Sequence, residues 1–196
     1  MSEEFLITDR KYEELSTVYG HAINTIMGDL ENMIEDLNSS SGREVVHSYM
    51  SRIKNRESLE KKCHRKSCNV ADITDIAGIK IVVLFEDDIP IVADMIENMF
   101  HVKETKDYLQ NPKDNGYRGI HKIITVKTIV NGRNMSAPIE IQIKTALMDA
   151  LWSVEHVVRY KKVDYDPNVT QRVLDAANRL DNLEQIMIQA RDFTNN

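Results

Sequence analysis

The chain has 196 residues, 42% of them hydrophobic, and a formal net charge of -6. That is enough apolar material for one buried core, so a single domain over residues 1–196 is expected. The acidic balance excludes general nucleic-acid binding, which needs a field dominated by Lys and Arg; no run approaches the ~18 apolar residues that span a bilayer, and the polar start MSEEFLITDR is no secretory signal. A cytosolic protein without a membrane partner is expected.

From Thr8 to about Asn38 the apolar residues Tyr12, Leu15, Tyr19, Ala22, Ile23, Ile26, Leu30, Met33, Ile34 and Leu37 step by threes and fours, which predicts a long amphipathic helix. Ser39 to Gly42 should close it. Glu44 to Lys54 reads as extended, and Ser58 to Lys66 as a short basic helix. Cys63 and Cys68 are the only cysteines, and with His64 they fall one ligand short of a structural zinc site, so reduced thiols are expected. Ile79 to Phe85 is a β-branched apolar run suited to a central strand covered on both faces. Asp87 or Asp88 can cap the next helix, which ends near Phe100.

His101 to Tyr108 predicts a further strand, and Asn111 to Gly119 a loop. Ile120 to Val130 and Ile139 to Thr145 predict two antiparallel strands joined past Asn131-Gly132, with Pro138 limiting the ladder. A helix should run from Ala146 to about Tyr160, and a last one, opened by Asp166 and Pro167, over about 167–193. Its residues Val173, Leu174, Ala177, Leu180, Leu183, Met187 and Ala190 form a heptad-like seam that suits either docking on the chain's own core or a subunit interface. The order of elements predicts an α/β (α+β) fold, a mixed central sheet flanked by helices with long N- and C-terminal helices.

Three groups could carry chemistry. Arg52, Lys54, Ser58, Lys62, Arg65 and Lys66 concentrate cations and a hydroxyl in one stretch, and Ser58, Lys62 and Arg65 share a helix face, an arrangement suited to a polyphosphate. Asp75, ahead of the central strand, and Glu140, on the polar side of Ile139 to Lys144, could share one magnesium ion from neighbouring strands. The turn Asn115-Gly116-Tyr117 offers an aromatic face among Lys113, Arg118 and His121, on which a planar base could stack.

Taken together, Arg52-Ile53-Lys54 through Arg65, Asp75 to Lys80, Lys106-Asp107-Tyr108, Asn111 to His121, Glu140 to Thr145, and Glu155-His156 with Arg159-Tyr160-Lys161 resemble the synthetase domain of the RelA/SpoT family, in particular its stand-alone small alarmone synthetases. The resemblance covers about residues 45–162 and implies a nucleotidyltransferase-like catalytic core. It implies that Arg52, Lys54, Ser58, Lys62, Arg65 and Lys80 engage ATP, that Asp75 and Glu140 hold Mg2+ and carry catalysis, and that Lys113, Asn115, Tyr117, His121 and Gln142 bind GTP or GDP, with guanine stacked on Tyr117. The implied reaction moves pyrophosphate from ATP to the 3′-hydroxyl of the guanosine nucleotide. Related members act on adenosine nucleotides or on the 3′ end of tRNA, and a sensor without turnover is a further alternative.

Lys80 and Lys144 stand where the family usually has Arg, and Gly119 where it usually has Ser. The family's hydrolase signature, a His-Asp pair, is missing, which implies synthesis without hydrolysis. For small synthetases the resemblance also implies a homotetramer built through terminal helices, with an allosteric alarmone or single-stranded RNA as a further ligand.

Overall fold

The computed structural model describes residues 6–160 and 167–194. The expected helix opener Asp166 and the Lys161–Lys162 end of the motif-bearing stretch lie outside them. In chain order the elements are α1 (Asp9–Ser41), β1 (Val46–Ile53), α2 (Arg56–Lys66), β2 (Ala77–Val83), α3 (Asp88–Met99), β3 (Val102–Asp107), β4 (Ile120–Val130), β5 (Arg133–Thr145), α4 (Ala146–Tyr160) and α5 (Pro167–Thr194), with a short 3-10 turn at Val70–Asp72. Among them no helix is long and apolar enough to cross a membrane.

One five-stranded mixed sheet forms, in the order β1-β2-β5-β4-β3. Only β2 and β5 run parallel; the other neighbours are antiparallel. Ile79, Ile81 and Val83 of β2 and Ile139, Ile141 and Ile143 of β5 are almost fully buried and join the main apolar cluster, against which α1 and α3 pack. Burying each such side chain contributes about 1.5–3 kcal/mol, so this isoleucine layer anchors the sheet. Because strand side chains alternate, Glu140 and Gln142 are sent to the opposite side of the same strand.

Element ends differ from expectation where caps decide them. Thr8 caps α1, accepting a hydrogen bond from the Lys11 amide, and the helix continues through the serines to Ser41. Gly42 stops it in the left-handed conformation at φ 62°, which glycine adopts without a Cβ penalty. The helix α2 starts earlier than Ser58 because Asn55 is its cap: the Asn55 side chain accepts from the Ser58 amide at 2.9 Å. Neither Asp87 nor Asp88 caps α3 with its side chain. Asp88 is buried and accepts two hydrogen bonds from Arg43, at 2.8 and 2.5 Å, while Asp87 takes a forked contact from Arg191.

The β4–β5 hairpin turns at Asn131 and Gly132, both with positive φ, and pairs continuously from Ile120↔Ile143 to Val130↔Arg133. Pro138 does not interrupt it, contrary to expectation. The β2 ladder begins only at Ala77↔Ile139, so the missing Pro138 amide falls where β5 has no neighbour on that side.

On α5, Leu174 and Ala177 face Gly116, whereas Leu183 and Met187 of the expected seam are exposed. Leu180 of the seam also packs against the core, and polar residues share the inward line with it. Arg118 pairs with Asp181 and with Glu86 at 3.1 Å, Thr145 donates to the fully buried Glu184, and Arg191 lies 4.7 Å over the Phe85 ring. Removal from water raises the Glu184 carboxyl above its usual range.

Candidate active site

The strand registers build the site. Arg52 lies beside Gly78 and Gly78 beside Glu140; in the next row Met50, Lys80, Gln142 and His121 stand abreast. Opposed and alternate residues share a face, so four strands carry these side chains on one side of the sheet. Gly78 leaves the floor open between Arg52 and Glu140. The helix α4 forms a wall with Asp149, Trp152, Ser153 and His156, whose spacing of three and four sets them on one side. The resulting cavity of about 390 Å³ is lined by Arg52, Lys54, Asp75, Lys80, Glu140 and Gln142 among the predicted residues.

Asp75 reaches the cavity from just ahead of β2. Lys54 donates to its Oδ2 at 3.1 Å, and Lys62 donates to the same oxygen. Burial raises the Asp75 carboxyl, but the two ammonium groups outweigh it and hold the pKa below the ordinary value. Its Oδ1 is buried with no hydrogen-bond partner. Such an orphaned carboxylate oxygen calls for a partner, and a cation supplies one.

Glu140 accepts from Gln142 Nε2 at 2.5 Å and from His121 Nδ1 at 3.3 Å. Burial again works against ionisation, and the contacts from His121 and Gln142 again prevail, so its pKa is lowered. The charge of Asp75 pushes the other way, which sets the two carboxylates within electrostatic reach of each other across one cavity. Among the described residues no cluster of three or more His, Cys, Asp or Glu side chains forms. A divalent cation between these two acids would take the rest of its shell from phosphate oxygens and water, as magnesium does. The donor set fits that ion.

The loop before β4 is wound tightly. Asn115 Oδ1 accepts from the Tyr117 amide at 3.2 Å, the Gly116 amide donates to Lys113 O at 2.7 Å, and Gly119 sits at φ 138°. A Cβ at Gly119 would lie 2.9 Å from the Ile143 carbonyl oxygen, so this loop conformation requires glycine at the position. Tyr117 is thereby turned inward. Its hydroxyl donates to His121 Nε2 at 2.6 Å, leaving Nδ1–H for Glu140. Tyr108, Tyr117 and His121 meet edge to face with centroids 5.1–5.7 Å apart, and Lys113 Nζ stands 4.4 and 4.5 Å over the two tyrosine rings. Desolvation raises the Tyr117 phenol far above its usual value, so it stays a donor.

Ser58 and Arg65 are exposed on α2 to either side of Lys62, which alone of the three touches Asp75. Lys80 donates to Asp149 Oδ2 at 2.6 Å, and Lys144 pairs with Asp149 at 3.3 Å. Asp149, Trp152 and Ser153 were not singled out from the sequence, and His156 entered only within the Glu155-His156 stretch of the family resemblance. The available signal was the spacing of Asp149, Trp152, Ser153 and His156 by threes and fours along one helix.

Residues 51–165, more than half of the chain, match the family model described as a region found in RelA/SpoT proteins. The chain is 31% identical over 180 residues to the GTP pyrophosphokinase YwaC of Bacillus subtilis, covering 87% of this chain and 86% of the relative, and 29% identical over 185 residues to the GTP pyrophosphokinase YjbM of the same organism, covering 88% and 86%. Its fold superposes on small alarmone synthetase 1 from Bacillus subtilis bound to its product pppGpp with a TM-score of 0.87 at 26% identity, covering 96% of this chain and all of that one. For small alarmone synthetase 2 of that organism the TM-score is 0.84 at 30% identity, covering 92% and 98%. These matches lead to one assignment: the chain belongs to the RelA/SpoT family.

Proposed function

We infer that the protein is a GTP pyrophosphokinase, an alarmone synthetase that moves the terminal pyrophosphate of ATP onto the 3′-hydroxyl of GTP or GDP and releases AMP. The observation that carries this reading is the pairing of Asp75 and Glu140 on one cavity, the first among lysines and the second at the end of a Tyr117–His121 hydrogen-bond chain. The relatives named GTP pyrophosphokinase, and the similar synthetase solved with pppGpp, support it.

Asp75 and Glu140 are the residues that would hold Mg2+, which supplies positive charge on the phosphate oxygens and steadies the developing negative charge. The chain's own groups do the rest. Lys54 and Lys62 exchange Asp75 for phosphate oxygens, Arg52 adds a forked contact, and Ser58 and Arg65 extend the same basic face. Lys80 lies toward the adenosine end. Lys113, Asn115, Tyr117, His121 and Gln142 border the acceptor side, and the Tyr117 ring is freed for a base when Lys113 moves to phosphate. The 3′-oxygen attacks the β-phosphorus, the bond from that phosphorus to the α-phosphate oxygen breaks, AMP leaves with the electron pair, and Glu140 takes the hydroxyl proton. Little covalent work is asked of the protein beyond alignment and counter-charge.

Incubation with ATP labelled in the terminal phosphate, together with GDP, GTP, adenosine nucleotides and tRNA, tests the reading. Label on GDP or GTP with matching AMP release is expected. Label carried only by another acceptor rejects the substrate assignment. Guanosine 3′-pyrophosphate should persist without hydrolysis, and removal of divalent ions should stop its formation.

The enzyme is a cytosolic homo-oligomer on the same reading, a tetramer by the family resemblance. Val154, Val157 and Val158 of α4 and Leu183, Ile186 and Met187 of α5 are exposed on two contacting helices, an apolar surface suited to a second copy. Leu183→Glu should lower the mass measured by light scattering, and a monomeric wild type would refute the assembly.

A further inference from the structure

The C-terminal helix touches the acceptor side along one stripe. Ala177, Asp181 and Glu184 follow one another by four and three, so they share a face of α5. Ala177 packs on Gly116, where a Cβ would lie 2.7 Å from the Ala177 Cβ at a φ of 82°. Asp181 pairs with Arg118, whose other amino group donates to Glu86 at 3.1 Å. Glu184 accepts from Thr145, and the Thr145 oxygen in turn accepts from the Met148 amide at 3.0 Å, inside the first turn of α4. One face of a terminal helix thus grips the loop before β4 at two places and orients the side chain that opens α4, the wall of the cavity.

Tyr117 and Arg118 are neighbours in the chain whose side chains diverge. Tyr117 turns to His121, with its hydroxyl 2.6 Å from Nε2, while Arg118 turns away to α5. A guanidinium held between carboxylates on two elements, Glu86 just after β2 and Asp181 on α5, cannot rotate without breaking two charge-assisted contacts. The Arg118 side chain is 19% exposed, so water replaces little of that grip. Fixing Arg118 fixes the peptide it shares with Tyr117, and with it the direction of the phenol. The lysines around Asp75 follow β1 and lie on α2, at the opposite edge of the sheet from β3 and the loop after it. Resting on the pyrophosphate-transfer reading above, we propose that Arg118 is a positioning residue for the acceptor: clamped by Asp181 and Glu86, it holds Tyr117 in place, and through it α5 sets the affinity for the guanosine nucleotide without setting that for ATP.

Steady-state kinetics with each nucleotide varied in turn tests this. Arg118→Gln should raise the KM for GDP about threefold to thirtyfold, the range for a residue that acts without touching the ligand, and leave the KM for ATP within about twofold. Arg118→Lys should recover part of the loss, since an ammonium serves one carboxylate well but not two. Asp181→Asn should raise the KM for GDP in the same direction, and adding it to Arg118→Gln should change nothing further, because Asp181 acts through Arg118. A KM for GDP unaltered in Arg118→Gln overturns the proposal, and so does an equal rise for both nucleotides, which marks a general loss of structure. Additive effects of the two substitutions overturn it as well. Should Arg118→Gln fail to fold, Asp181→Asn decides, because that side chain is 44% exposed: an unchanged KM for GDP there sinks the assignment. A wild type that transfers pyrophosphate to GDP, with variants that give one of these contrary outcomes, refutes the role of Arg118 alone, whereas a wild type that transfers none to GDP or GTP removes both readings.

Discussion

On the β1 side of the cavity a single carboxylate, Asp75, is shared by two lysines, whereas on the β4 side Glu140 is held by an imidazole and an amide inside a nest of aromatic rings. The first arrangement is electrostatic and exchangeable. Lys54 and Lys62 neutralise Asp75 until a polyphosphate and its cation offer better partners, so binding swaps ion pairs rather than burying new charge. The second is packed and fixed: the Tyr117–His121–Glu140 chain depends on a tightly wound loop, on Gly116 against Ala177, and on Gly119 against the Ile143 carbonyl. Changes on the first side should therefore reach turnover with little effect on folding, and changes on the second should cost both.

The largest expected effect is on the first side. Asp75→Asn removes the oxygen charge that faces the cavity, and AMP release should fall about a thousandfold, the scale set by losing a directed electrostatic contact in a transition state. Stability should shift by about 1 kcal/mol or less, because the cavity lets water reach the two freed ammonium groups. Parallel AMP assays and thermal melts check the contrast. A collapse of the melting temperature alongside activity would make Asp75 a folding residue and erase the distinction.

Gly119→Ser is the matching test on the second side. The backbone at φ 138° is strained for any residue with a Cβ, and that atom would press on the Ile143 oxygen at 2.9 Å. A cost of about 1–3 kcal/mol is expected in a urea melt, with a raised KM for the acceptor, since the same loop aims Tyr117 at His121. Unchanged stability would mean that the loop relaxes freely and that the acceptor side is less rigid than its packing suggests.

How much of this could be read from the chain alone follows the same division. The isoleucine alternation of β5 and the apolar stripe of α1 announce their faces, because water forces such residues inward whatever their partners. Cap positions were unevenly legible: Gly42 was read as part of the helix stop, whereas Asn55 declares itself only through backbone geometry. The docking of α5 was hidden for a stronger reason. Asp181, Glu184 and Arg191 look like a solvated face until Arg118, Thr145 and Asp87 are found opposite them, whereas the conspicuous Leu183 and Met187 point outward. Likewise Asp75 and Glu140 are ordinary acids in sequence. They become a site only through the parallel register that brings Gly78 beside Glu140, and no local periodicity encodes a register between segments so far apart.

The smallest effect should come from the boundary between the two sides. The Lys80 ammonium is engaged by Asp149 at 2.6 Å, with Lys144 on the same carboxylate. Arg at this position keeps the charge and can grip Asp149 with two N–H groups while its plane remains available to an adenine ring, an arrangement a point-like ammonium cannot offer. Lys80→Arg should thus lower the KM for ATP about twofold to fivefold, within the range of one exposed cation–π contact, and leave the KM for GDP unchanged. Initial-rate measurements with each nucleotide varied in turn distinguish the outcomes. Movement of the GDP constant instead would show that Asp149 couples the two subsites through its pair of lysines, so that the exchangeable side and the packed side act as one.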